Sequence, residues 1–469
     1  MGDLGDLLCD TIRAADEAAR FRLDIFHRLV YADYLERRGD GARAEAVRLH
    51  ATIEESRPGL LLQLRRPPGC PTVSLEGWRH SLTRGHRKLS YIWARHRRGW
   101  RAAFPRLVRA GLAFRAGLPW HFDGVPQAWP RKATGELSIV RSWRLWAGAG
   151  QTLPEINPQM LSGAREIVLS GQGWRGRVAR LLDSGVIPPG VGKFGLTDGA
   201  LDWESTGEIR DILDRPWPNL RSFIAPANWL YHKGAEVVWE LMAKTSVREL
   251  DLSRNNIGWG SGFLRHGGPP ALRVLRFSGN HVEARGTRAV AGAPFLETVE
   301  RIDWMGNSLS SSGAEALAAW QAPCLRAVHL GSNHLGPEGA KALASCRWLA
   351  RLGEIDLSDN QLRDEGIGHV ARALGERLRA LGLESNLLGA DSGAHLATSP
   401  ARPSLVWLEM SRNSLGAEGL AKLAMADWPR LRQAGLMMND LPPSIAFPKE
   451  RFPVLAPPKL ARPREHPGG

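Results

Sequence analysis

From about residue 160 to residue 445 the chain repeats one pattern of apolar and polar positions. Two apolar residues flank a single outward position, and an asparagine follows shortly after. Leu250-Asp-Leu-Ser-Arg-Asn255, Leu275-Arg-Phe-Ser-Gly-Asn280 and Ile302-Asp-Trp-Met-Gly-Asn307 show it. Val328-His-Leu-Gly-Ser-Asn333, Ile355-Asp-Leu-Ser-Asp-Asn360 and Leu381-Gly-Leu-Glu-Ser-Asn386 repeat it, as do Leu408-Glu-Met-Ser-Arg-Asn413 and Ala434-Gly-Leu-Met-Met-Asn439. The asparagines are 25, 27, 26, 27, 26, 27 and 26 residues apart, and Asn228 extends the series backward by 27. Ile167-Val-Leu169-Ser-Gly-Gln172 and Phe194-Gly-Leu196-Thr-Asp-Gly199 are degenerate earlier units without the asparagine.

Alternation around the two apolar positions predicts a short strand, its leucines facing a core and the residue between them facing out. The asparagine stands where the chain leaves the strand. A column of such side chains, Asn228, Asn255, Asn280, Asn307, Asn333, Asn360, Asn386, Asn413 and Asn439, would satisfy backbone groups that the turns leave open. An Ala-rich helical stretch follows each turn, as in Ser312-Gly-Ala-Glu-Ala-Leu-Ala-Ala319 and Ala417-Glu-Gly-Leu-Ala-Lys-Leu-Ala424. One unit cannot bury its own apolar face, whereas a stack can.

This unit resembles the ribonuclease-inhibitor-like class of leucine-rich repeats. The resemblance implies an α/β fold: a leucine-rich-repeat solenoid shaped as a horseshoe, with parallel strands on the concave side and helices on the convex side.

Ahead of the repeats, residues 4–56 read as helical. His27-Arg-Leu-Val-Tyr-Ala-Asp-Tyr-Leu-Glu-Arg-Arg-Gly39-Asp40 carries apolar Leu29, Val30, Ala32 and Leu35, with Gly39 placed to end the helix. Together with Arg48-Leu49 this block resembles the bacterial repeat-companion domain, although Tyr34 stands where that family usually has Trp. Phe114-Arg-Ala-Gly-Leu118 resembles the segment that precedes the first repeat in such proteins and should form a capping strand. The expected organisation is a small all-α domain over 1–65, a basic Trp/Arg-rich connector over 66–109, the capped solenoid over 110–445, and a Pro-rich disordered tail over 446–469.

Composition adds charge to this picture. The formal net charge is +14, which attracts phosphate backbones and acidic partners without bearing on fold. Residues 76–109 concentrate it: Arg79, Arg84, Arg87, Lys88, Arg95, Arg97, Arg98, Arg101, Arg106 and Arg109 alternate with Trp78, Trp93 and Trp100. Basic residues with aromatics are ingredients of nucleic-acid binding, and equally of an amphipathic connector. The outward strand positions are acidic by contrast. They read Asp251, Arg276, Asp303, His329, Asp356, Gly382 and Glu409, flanked by Glu249, Glu354, Glu384, Trp407 and Met437. Two readings stay open: a partner-binding stripe, or the residue type this strand position generally prefers.

No catalytic constellation stands out. Gly190-Val-Gly192-Lys193-Phe194 lacks the spacing and the following Ser or Thr of a phosphate loop. Gly260-Ser261-Gly262 is not a nucleophile elbow. Cys9, Cys70, Cys324 and Cys346 form no metal-ligand pattern, and Cys324 and Cys346 read as buried free thiols of a reducing compartment. Neither a signal peptide nor a run of about 18 apolar residues is evident, so the cytoplasm is expected. The sequence thus predicts a non-enzymatic scaffold without cofactor or metal, gripping a protein partner, basic in character, on the concave face. The alternatives are an enzyme regulator (an inhibitor or GTPase-activator-like protein) and nucleic-acid binding through residues 76–109.

Overall fold

The computed structural model describes residues 112–115, 118–124, 140, 142–153, 156, 158–201, 204 and 206–440. The helical domain expected over 1–65, the connector over 66–109 and the tail over 446–469 lie outside them. The chain divides into two units, Met1–Leu201 with Asp214–Ser222, and Asp202–Leu213 with Phe223–Gly469.

In the first unit, β1 (Leu112–Arg115) pairs antiparallel with β2 (Leu118–Gly124), with a register shift between Ala113 and Phe114. Parallel pairing then runs through β3 (Ser142–Trp146), β4 (Glu166–Ser170) and β5 (Lys193–Thr197). Their inward residues, Trp143, Leu145, Ile167, Leu169, Phe194 and Leu196, are fully buried. The two degenerate units therefore keep the strand without the asparagine. Among the described residues the connections carry the short helices α1 (Pro158–Leu161) and α2 (Val178–Asp183) and a 3-10 turn at Gln172–Trp174. Trp174 fills part of the space beneath the sheet and donates its indole N–H to the Leu145 carbonyl at 2.9 Å. β3 is a strand that the asparagine spacing could not reveal.

A three-residue strand, β6 (Ser222–Ile224), runs from the last residue of the first unit into the second. The second unit holds α3 (Thr206–Leu213) and α4 (Tyr231–Met242), then strands joined by helical connections. The strands are β7 (Glu249–Asp251), β8 (Val274–Arg276), β9 (Arg301–Asp303), β10 (Ala327–His329), β11 (Glu354–Asp356), β12 (Ala380–Gly382), β13 (Trp407–Glu409) and β14 (Gln433–Gly435). The helices are α5 (Glu283–Ala289), α6 (Ser310–Ala318), α7 (Gly336–Ala344), α8 (Arg363–Ala373), α9 (Ala390–Ala397) and α10 (Gly416–Ala424). Pairing is parallel and in register, so Leu250, Leu275, Ile302, Val328, Ile355, Leu381, Leu408 and Ala434 form one row.

From Asn255 to Asn439 each asparagine ties its own repeat to the one before. The Oδ1 of Asn255, Asn280, Asn307, Asn333, Asn360, Asn386 and Asn413 accepts the N–H of the preceding asparagine at 2.8–3.1 Å. The Nδ2 groups donate to carbonyls, as Asn360 does to Leu330 and Leu357 at 2.8 and 2.9 Å. The main-chain carbonyl of the same residue caps the preceding helix. Asn255, Asn307, Asn333, Asn360, Asn386 and Asn439 accept the first helical N–H of Tyr231, Glu283, Ser310, Gly336, Arg363 and Gly416 at 2.9–3.0 Å, with Arg363 bonded to Asn386. Where the caps are described, these helices start without a side-chain cap, because the next repeat supplies the acceptor.

The turn that makes this possible has left-handed residues on alternate positions around the asparagine. Arg254, Asn256 and Gly258 flank Asn255 with φ of 59, 54 and 67°. Asp359, Gln361 and Arg363 flank Asn360 with φ of 57, 56 and 57°. Such a conformation costs roughly 1–2 kcal/mol for a residue with a Cβ. Glycine at 258, 279, 306, 336 and 416 removes that cost in several repeats.

One connection departs from the expected Ala-rich helix. Between β7 and β8 the chain forms a 3-10 helix, Gly258–Arg265. Trp239 of α4 fills the adjoining space, and its indole N–H reaches the His266 carbonyl at 2.9 Å. A Cβ on Gly268 would lie 2.2 Å from that ring. Cys346 is buried as expected, while Cys324 is only half-buried; both are free.

Candidate interaction surface

The outward residues of the second unit's strands form three rows on the strand face of its sheet. The first row holds Glu249, Arg301, Glu354 and Trp407, each at the first residue of its strand. The second holds Asp251, Arg276, Asp303, His329, Asp356, Gly382 and Glu409 at the third. The third, one step beyond the last inward residue, includes Met305, Ser358, Glu384, Ser411 and Met437.

Much of the acidity is already spoken for within the chain. Arg276 forms an ion pair with Glu249. Arg301 reaches across an intervening strand to hold both Glu354 oxygens, at 2.9 and 2.7 Å, while His329 Nε2 meets the same carboxylate at 2.8 Å. Burial raises the Glu354 pKa, but these bonds outweigh it and bring the carboxyl down to about 2. Asp303 and His329 are only 6% and 5% exposed. Burial pushes the carboxyl groups of Asp251 and Asp303 above their ordinary value. Arg301 occupies the row of Glu249 and Glu354, but sequence reasoning took only Asp303 from its strand.

The acids of the second row also shape the turns that follow them. Asp251, Asp303, Asp356 and Glu409 each accept the N–H two residues on, from Ser253, Met305, Ser358 and Ser411, at 2.8–3.2 Å. This local bond gives the acidic column a structural task of its own.

The C-terminal part of the face differs. Gly382 and Gly435 leave room there, and neighbouring carboxylates lean over them. A Cβ on Gly382 would lie 2.5 Å from Asp356 Oδ1, and one on Gly435 would lie 2.0 and 2.1 Å from the Glu409 oxygens. Burial and the charge of Glu409 raise the Glu384 pKa, with Asp356 and Asp359 adding to the effect. Arg412 reaches Glu384 at 3.3 Å, but its side chain is 63% exposed. Trp407 is half-buried beside this cluster, and Met437 is 59% exposed.

The first unit carries a polar group that sequence reasoning did not mark. Asp198 accepts from Ser170 Oγ at 2.6 Å, Thr197 Oγ1 at 2.8 Å and Arg144 at 3.1 Å. Burial opposes its ionisation, yet these bonds hold its carboxyl below the ordinary value. Among the described residues no group of three or more His, Cys, Asp or Glu could hold a metal ion. No described helix is long and apolar enough to cross a membrane.

Residues 243–258, 321–344 and 352–369 match the family model described as Leucine Rich repeat. The chain carries leucine-rich repeats. Its architecture is accordingly an α/β leucine-rich-repeat solenoid. No curated protein matches it. Among solved structures it is similar to the leucine-rich-repeat protein LegL7 from Legionella pneumophila, at 17% identity and a TM-score of 0.43, over 61% of this chain and 100% of that one. It is similar to a chain of the Rad7 and Elc1 complex in yeast, at 16% identity and a TM-score of 0.39, over 62% and 81%. It is also similar to a chain of the Toll–Spatzle complex of Drosophila, at 16% identity and a TM-score of 0.34, over 71% and 52%.

Proposed function

We propose that this leucine-rich-repeat protein is a non-enzymatic scaffold that binds a protein partner on the strand face of its second unit. The binding surface centres on Asp356, Glu384, Trp407, Glu409 and Met437, and the partner segment is basic. One observation carries the reading: the carboxylates of Asp356 and Glu409 lie over Gly382 and Gly435, Glu384 feels the charge of both, and a half-buried tryptophan and an exposed methionine stand beside them. Like charges held together favour a cationic partner, and an aromatic at the rim supplies an apolar anchor. Glu249, Asp251, Arg276, Asp303, His329 and Glu354 hold that surface in shape through the pairs and turns already described. The finer assignments belong to the same proposal. The repeats are of the ribonuclease-inhibitor-like class, residues 1–65 form a repeat-companion domain, and the protein is bacterial and cytoplasmic.

The test is affinity capture from the source lysate with the full chain, after nuclease treatment. Glu384→Lys with Trp407→Ala should abolish capture of the partner while leaving the melting temperature within a few degrees of wild type. Capture that persists undiminished in this folded variant overturns the strand-face assignment.

A further inference from the structure

A second surface of the same unit lies on the edge where the chain leaves the strands and enters the helices. Trp229 and Trp259 are 57% and 58% exposed there, and Tyr231 stands between them in sequence. The three sit on adjoining repeats. The Tyr231 N–H bonds to the Asn255 carbonyl at 2.9 Å, and the Gly258 N–H to the Asn280 carbonyl at 2.7 Å, which sets the starts of α4 and the 3-10 helix side by side. Gly260 lets the His232 side chain lie against this turn, since its own Cβ would be 2.6 Å from His232 Cβ. Arg285 of α5 stacks over Trp259 at 4.4 Å from the ring centroid. That contact covers one face of the indole and brings a cation to it.

Two tryptophans more than half exposed on neighbouring repeats are unusual for a surface that meets only water. Their neighbours indicate the occupant. Lys233, Arg254, Arg285 and Arg288 are exposed on the same repeats, against Glu236 and Glu283; Glu240 is paired with Arg210 at 3.2 Å. The edge is therefore cationic. No large aliphatic side chain between residues 223 and 290 is fully exposed, so the aromatics lack the Leu, Ile or Phe company of a membrane-inserting face. The region offers planar rings and cations but no apolar wedge. Single-stranded nucleic acid matches that chemistry, because each base presents a π-face and each phosphate a negative charge.

We propose that this edge binds single-stranded nucleic acid. Bases stack on the open faces of Trp229 and Trp259, while Arg254, Lys233 and Arg285 contact the phosphates. The site is independent of the strand-face scaffold and involves none of its residues.

Fluorescence anisotropy of a labelled oligothymidylate at low salt tests it, with the full chain. Binding is expected, and it should weaken steeply as salt rises. Trp229→Ala with Trp259→Ala should weaken it by about tenfold or more, whereas Trp407→Ala should leave it unchanged. An abasic oligomer of the same length keeps the phosphates without the bases and should bind less tightly. Each of three results overturns the proposal: no binding at low salt, equal affinity of the double variant in its folded state, or equal affinity for the abasic oligomer. Capture by phosphatidylserine vesicles that depends on both tryptophans, without oligonucleotide binding, would reassign the edge to a membrane and equally overturn it.

Discussion

Replacing Asn360 by alanine tests the reasoning behind the fold most directly. The Asn360 Oδ1 accepts the N–H groups of Asn333 at 3.0 Å and Leu335 at 3.4 Å. Its Nδ2 donates to the carbonyls of Leu330, Leu357 and Ser358 at 2.8, 2.9 and 3.2 Å. The carbonyls of Leu330 and Leu357 keep a second donor, from Asn333 and Asn386 at 2.9 Å each. The damage therefore falls mainly on the two N–H groups, which the substitution strands in a fully buried place. An unsatisfied buried donor costs about 1–3 kcal/mol, and weakening the carbonyl bonds adds to it, so Asn360→Ala should destabilise by about 3–5 kcal/mol. Repeats couple to their neighbours, so the loss should be centred on the units around Asn333 and Asn386. Hydrogen exchange resolves this residue by residue. The amides of Asn333 and Leu335 should lose roughly two to three orders of magnitude of protection, at ~1.4 kcal/mol per tenfold. If both amides stay protected and the denaturation midpoint does not move, the side-chain ladder is not what holds the turns together.

Two other perturbations separate other contributions. Glu354 has its pKa lowered from 4.5 to about 2 by His329 and Arg301, so its stabilisation is complete above pH 4.5 and disappears as pH falls toward 2. The stability difference between wild type and Glu354→Gln should be about 2 kcal/mol at neutral pH, allowing for solvent at the pair, and should shrink through that window; a difference independent of pH in denaturation curves would refute the assignment. Gly268 and Gly292 both have positive φ, 89 and 80°, but a Cβ on Gly268 would strike Trp239 at 2.2 Å, whereas nothing lies within 4 Å of one on Gly292. Alanine at 292 should cost about 1–2 kcal/mol and at 268 about 2–3 kcal/mol more, and equal shifts in urea midpoint would show that the ring moves aside freely.

The repeat unit, its strand and its asparagine were legible in the sequence because they rest on local chemistry. Alternation places Leu250 and Leu252 inward whatever the partner strand, and spacings of 25–27 residues admit one stacked arrangement. Ile167–Leu169 and Phe194–Leu196 stayed legible without the asparagine because they keep the alternation, whereas β3, which Trp143 and Leu145 build, escaped the reading. The helix between β7 and β8 fails for another reason: Trp239, from the preceding repeat, decides how much room Gly258–Arg265 has.

For the surface the division is sharper. Sequence by itself placed Asp251, Asp303, Asp356 and Glu409 on one outward row, because a period of two depends on nothing beyond the strand. Only the tertiary structure decided which of those charges remain available. Parallel, in-register stacking brings Arg301 across to Glu354, sets Arg276 on Glu249 and buries Asp303 and His329, joining residues 25 to 53 positions apart. It also leaves Trp229 and Trp259 exposed on adjoining repeats. A side chain's free charge or free ring face depends on what the neighbouring repeats put beside it, and no local pattern in the chain encodes that.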